Sequence, residues 1–145
     1  MHPTLPLIDR PGDFIDGRFV QPRPLDGELV IHSPADVAQH IATHAYSADQ
    51  VDRAVGAARR AFPAWRRLSD DARRVFLSAY QQSLRVHRDE IALCIALEVG
   101  KTLWEARSEV DSMIAKVDLS LGEGARFTAT QRIDDLPGEI RYRPL

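Results

Sequence analysis

Cysteine is nearly missing from this 145-residue chain. The single Cys94 can form no internal disulfide and supplies no multi-thiolate metal centre. Long hydrophobic runs are missing too. No apolar stretch approaches the ~20 residues that a bilayer-spanning helix needs, which excludes a transmembrane segment. The opening Met-His-Pro-Thr-Leu-Pro-Leu-Ile-Asp-Arg lacks a charged region followed by an apolar stretch, so no secretory signal is expected and the cytoplasm is the expected compartment. Nor is there an excess of charge of one sign. Nineteen basic residues against 21 acidic ones leave a net charge of −2, whereas a dedicated nucleic-acid binder is expected to be clearly basic.

What is present points to a globular chain. Leu, Ile, Val and Phe number 38, above the roughly 20% of residues below which chains tend to stay disordered. The length allows one domain with a core. Residues 1–13 hold three prolines and one glycine and read as an irregular lead-in. Asp16-Gly17 then separates two β-prone runs, and Asp-Gly accepts the positive φ angles of a type I′ turn, so 14–20 reads as a tight hairpin. A second turn is signalled at 22–27, followed by a short strand over Leu29-Val30-Ile31 that Ser33-Pro34 closes.

From residue 47 the apolar spacing becomes helical. Ser47-Ala-Asp-Gln50 has the form of a capping box, and Val51, Ala54, Val55, Ala58, Ala61 and Phe62 follow as one apolar stripe. Pro63 is expected to end that helix near Phe62, because proline disfavours α geometry in the residue before it. Ser69-Asp-Asp opens a second helix running to about Val86 and burying some of Ala72, Val75, Phe76, Ala79, Tyr80 and Leu84. A third covers Ile91 to Val99, with Gly100 as its left-handed cap. Thr102-Leu-Trp-Glu105 is a second capping box and opens the longest helix. Its expected buried face is Leu103, Ala106, Val110, Met113, Ile114, Val117 and Leu121, with Gly122 and Gly124 as its stop. Leu136-Pro137-Gly138 reads as a turn and Glu139–Tyr142 as a strand. These strands need partners, since an isolated two-stranded hairpin is marginal in water.

No catalytic constellation emerges from these residues alone. Cys94 lies within an apolar helical run, without the cationic neighbour or helix N-terminus that would lower a thiol's pKa, and reads as a small core residue. His40 and His44 would share a helix face, as in a zinc site, but they lack a helical stripe and a third ligand, and read as solvated or strand-edge histidines. Glu105 and Glu109, one turn apart, read as a solvated helix face. Seven arginines between Arg53 and Arg74 are diluted by acids and lack interleaved aromatics. Gly122-x-Gly124 follows a helix instead of a strand and fails as a dinucleotide loop. No metal site is expected.

The order of motifs nevertheless resembles the opening of aldehyde dehydrogenases. The resemblance is carried by Phe-Ile-Asp-Gly-Arg-Phe-Val at 14–20, Val-Ile-His-Ser-Pro-Ala-Asp at 30–36 and the helix with its aromatic exit at 50–65. Glu-Val-Gly-Lys at 98–101 and Arg-Pro-Leu at 143–145 extend it. Within the family, Leu-Trp-Glu-Ala-Arg-Ser-Glu-Val-Asp-Ser-Met-Ile-Ala-Lys at 103–116 is similar to the succinylglutamate-semialdehyde dehydrogenases, bacterial enzymes of arginine breakdown. The resemblance implies an α/β fold in which 14–138 form the mostly helical N-terminal part of the NAD-binding domain. Residues 139–145 would be a strand entering the oligomerisation arm.

It further implies an intact enzyme that is a homo-oligomer, takes a small aldehyde to the acid, passes hydride to NAD or NADP, and uses a cysteine nucleophile, an asparagine and a glutamate. None of those three catalytic segments matches this chain, and Cys94 does not fit the nucleophile's motif. The 145 residues are therefore expected to be an N-terminal piece that is inactive alone and binds no cofactor alone. By the same resemblance, the helix carrying Met113 and Val117 lines the substrate tunnel, and Lys116 is a cation suited to an anionic aldehyde. The alternative is a non-catalytic helical module that binds a full-length dehydrogenase or another partner through bare apolar faces. No membrane or nucleic-acid partner is expected.

Overall fold

A computed structural model describes residues 12–127, 129–132 and 138–141. The chain begins with an antiparallel hairpin of β1 (Asp13–Ile15) and β2 (Arg18–Val20), turned at Asp16 (φ 56°) and Gly17 (φ 77°). Both residues take the left-handed conformation that Asp-Gly tolerates, so the expected turn forms. A second hairpin joins β3 (Gly27–His32) to β4 (His40–Tyr46), with a register shift at Ile31/His32. Four helices follow: α1 (Ala48–Trp65), α2 (Asp70–Val86), α3 (Arg88–Val99) and α4 (Leu103–Leu121). A single turn, α5 (Glu123–Arg126), and a short pair of β5 (Gln131–Arg132) with β6 (Glu139–Ile140) complete the described elements. The described strands form three separate two-stranded sheets. The turn at Leu136-Pro137 and the strand end at Tyr142 lie outside the described residues, as does most of the lead-in.

The cap chemistry explains most of the helix boundaries. Thr102 Oγ1 accepts from the Glu105 backbone N–H while the Glu105 carboxylate accepts from the Thr102 N–H, a complete capping box. Thr102→Ala is expected to cost about 1 kcal/mol, read as a lower urea midpoint. Ser69 Oγ accepts from the Ala72 N–H. Gly100 ends α3 at φ 72°, and a Cβ there would sit 3.1 Å from the Pro34 side chain. Gly100→Ala therefore combines left-handed strain with crowding, and a loss of about 1–2 kcal/mol is expected in chemical denaturation.

Three local expectations give way. The Ser47–Gln50 box does not form. Asp26, carried by the β3–β4 hairpin, instead accepts from the Ala48 N–H at 2.7 Å, and the Ser47 hydroxyl and Gln50 amide are turned inward. Pro63 does not stop α1, which continues to Trp65. Pro63 removes one helical N–H, but its effect on the preceding residue is a bias, and the helix runs only two residues beyond it. Gly124 does not end helical structure either, since it lies within α5.

The core is small and sits between α2, α3 and α4. Leu84, Ala92, Ala106, Val110 and Ile114 form it, with Ile91, Ile95 and Ala96 packed against it. Val110 is 0% exposed. Gln81 Nε2 donates to the Ile114 carbonyl, tying α2 to α4. The apolar stripe of α1 is largely open. Val51 is 64% exposed, and Val55, Ala58, Ala61 and Phe62 are exposed with it. The helix presents Gln50 and Ala57 inward and packs mainly on β1. Along α2 only Leu84 is buried, leaving Val75, Phe76 and Tyr80 open. Trp65 and Phe76 meet with ring centroids 5.7 Å apart, which joins the end of α1 to α2.

Candidate functional site

The residues singled out as tunnel-lining all lie on α4. Val117 is buried on the stripe with Ala106, Val110 and Ile114, while Met113 flanks that stripe at 38% exposure. Lys116 lies outside it and is exposed. The three residues thus run from core to solvent across one part of the helix surface.

Ion pairs fix α4 against its neighbour. Arg88, at the start of α3, donates through Nε and Nη2 to the two oxygens of Asp111 at 2.6 Å each, a bidentate clamp. Asp89 accepts from Arg107 at 3.0 Å, and Lys101 pairs with Glu109. The clamp raises the Arg88 pKa and holds the Asp111 carboxyl below its ordinary range, in both cases chiefly through their shared hydrogen bonds. Glu105 is held low by the Thr102 hydrogen bonds that cap the helix. Both carboxylates therefore favour the folded state above their ordinary titration range, and that contribution is lost as pH falls through their depressed folded-state values. A urea midpoint that falls on acidification, and falls less in Asp111→Asn, is the expected result.

The Glu105/Glu109 pair lies on an exposed helix face, as expected. One carboxylate caps the helix and the other forms an ion pair. The arginine-rich stretch also serves the fold. Arg60 lies 3.8 Å from Asp16, Arg73 pairs with Asp70, and Arg74 donates to the Leu121 carbonyl at 3.0 Å, covering the α4 C-terminus. Cys94 is half-buried on α3. His40 and His44 sit on a strand, where four residues span about 13 Å, too far for one ion to bridge. Sequence spacing missed the neighbour that the hairpin does supply. His32 faces His40 across the strands, with ring centroids 5.9 Å apart. No group of three or more His, Cys, Asp or Glu gathers as a metal cluster among the described residues.

Two open clefts stand out among the described residues. One, of about 160 Å³, lies between the first hairpin and α1 and is lined by Ile15, Asp16, Arg18, Asp52, Arg53 and Arg60. The other, of about 530 Å³, runs between the α2/α3 corner and α4 beside Arg85, Arg88, Asp111, Ile114 and Asp118. Each contains paired charges, and neither contains a nucleophile. A dinucleotide cradle is not formed by the described residues either, since Gly122 and Gly124 follow a helix and no strand leads into them. Among the described residues, no helix is long and apolar enough to cross a membrane.

This architecture of hairpins leading into four helices matches part of larger oxidoreductases. It superposes on an NAD-dependent aldehyde dehydrogenase from Sinorhizobium meliloti with a TM-score of 0.74 and 30% identity, covering 84% of this chain and 24% of that one. A betaine aldehyde dehydrogenase from Staphylococcus aureus in complex with NAD+ gives a TM-score of 0.75 at 26% identity over 88% of this chain and 26% of that one.

The profile of the aldehyde dehydrogenase family matches residues 20–144, and the chain belongs to that family. Among curated relatives, N-succinylglutamate 5-semialdehyde dehydrogenase of Chromohalobacter salexigens is 40% identical over 95% of this chain and 27% of its own length. The enzyme of that name from Chromobacterium violaceum is also 40% identical, over 90% of this chain and 27% of its own. The chain spans about a quarter of the length of these relatives. Family membership does not favour the alternative of a non-catalytic helical interaction module.

Proposed function

We propose that this chain is the N-terminal part of an NAD(P)-dependent aldehyde dehydrogenase that oxidises succinylglutamate semialdehyde, or a similar anionic aldehyde, to the acid. The observation that carries the reading is the 40% identity to N-succinylglutamate 5-semialdehyde dehydrogenase along 95% of the chain. Residues 14–138 form the leading part of the NAD-binding domain, and 139–145 lead into the arm through which the intact enzyme assembles as a homo-oligomer. NAD is the favoured hydride acceptor, supported by the NAD-dependent and NAD+-bound structural relatives. The intact enzyme works in the cytoplasm, in arginine breakdown.

In this reading the chain contributes no catalytic group. It shapes the approach of substrate through Met113 and Val117 and attracts the carboxylates of substrate through Lys116. The bare apolar faces of α1 and α2 support it, because exposed patches of this extent mark surfaces that pack against further structure. Residues 1–145, purified alone and mixed with the aldehyde and NAD, are expected to give no NADH absorbance above a buffer blank. Aldehyde-dependent NADH from that preparation would refute the assignment of the chemistry to segments outside this chain.

A further inference from the structure

We propose that His32 and His40 form a two-imidazole site for a divalent transition ion of the zinc, nickel or copper class. The two residues are register partners where β3 and β4 slip at Ile31/His32, and opposed side chains in such a pair lie on the same face of the sheet. Their rings stand 5.9 Å apart, centroid to centroid, at an interplanar angle of 79°. Two imidazoles that share one ion at Zn–N distances of about 2.0–2.1 Å have centroids separated by a similar span, so small rotations suffice. Both residues are exposed, and an ion can reach them.

Two further features preorganise the pair. The connection between the strands is tied by Ser33 N–H to the Gln39 carbonyl at 3.0 Å, Gln39 N–H to the Asp36 carbonyl at 2.8 Å and Ala38 N–H to the Asp36 carboxylate at 3.1 Å. His40 Nε2 lies 2.8 Å from Thr43 Oγ1. In the tautomer whose Nε2–H donates to that hydroxyl, Nδ1 keeps its lone pair, the second contact that ligating histidines commonly use to fix tautomer and ring orientation. Water completes the coordination. Hard ions such as Mg2+ prefer oxygen donors and are excluded by this ligand set.

The site is tested by titrating the full chain with ZnCl2 in a calorimeter, beside His32→Gln, His40→Gln and His44→Gln variants checked by circular dichroism. A single-site isotherm is expected for the parent and for His44→Gln, with affinity about tenfold or more weaker in His32→Gln and in His40→Gln. Both ring-proton resonances in the parent should move with added Zn2+ and stay put with Mg2+. Wild-type affinity in both the His32→Gln and His40→Gln variants, or ring resonances that Zn2+ leaves unmoved, would overturn the proposal.

Discussion

Val110→Asp is expected to unfold the α2–α3–α4 unit, seen as loss of the cooperative helical melt and rapid proteolysis within α3 and α4. Val110 is fully buried between these helices, and its neighbours in the core are aliphatic side chains. An uncompensated buried charge costs about 3–5 kcal/mol. That is a large share of the ~5–15 kcal/mol by which whole domains are stable. This core rests on few fully buried side chains, so it has little to lose. Val110→Ala is the milder companion, expected to cost about 2 kcal/mol through lost burial and a small cavity, with the fold retained. Equal melting of the Asp variant and the parent would show that the packing of α4 is not what holds the unit together.

Where local chemistry decides structure, the sequence was readable. Asp16-Gly17 turns the hairpin, Thr102 and Glu105 cap α4, Ser69 caps α2 and Gly100 ends α3, each through contacts a few residues apart. Contacts between distant residues were not readable. Strand β4 lacks a clean alternation of polar and apolar positions, and its pairing with β3 is what makes it a strand. The cap on α1 comes from Asp26, 22 residues before Ala48 and invisible to a pattern confined to Ser47–Gln50.

The apolar stripes of α1 and α2 were found correctly as stripes, but which of them the chain itself buries depends on what packs there. The α4 stripe is covered by α2 and α3, whereas α2 buries only Leu84 of its own. The proposed substrate approach rests on family resemblance alone, because nothing in the spacing of Met113, Lys116 and Val117 announces a tunnel. The meeting of His32 with His40 likewise follows from strand register, which the sequence does not display.

Lys116→Glu carries the largest expected effect on catalysis once the chain is part of an intact enzyme. The proposed substrate bears two carboxylates, and Lys116 is an exposed cation on the helix assigned to its approach. Reversing that charge replaces attraction by repulsion. The expected loss is roughly tenfold or more in kcat/KM for the dianionic aldehyde, mostly through KM, and it should shrink as added salt screens the interaction. A neutral aldehyde of similar length should be turned over as before. Equal losses on both aldehydes would mean that Lys116 serves the fold and has no part in substrate choice.

The most direct test of the central claim is to replace the aligned leading quarter of the Chromohalobacter salexigens enzyme with this chain and follow NADH formation from succinylglutamate semialdehyde. A soluble chimera is expected, with turnover within about tenfold of the parent enzyme, a difference of about 1.4 kcal/mol in barrier. A chimera that folds, assembles and binds NAD yet oxidises no succinylglutamate semialdehyde would contradict it.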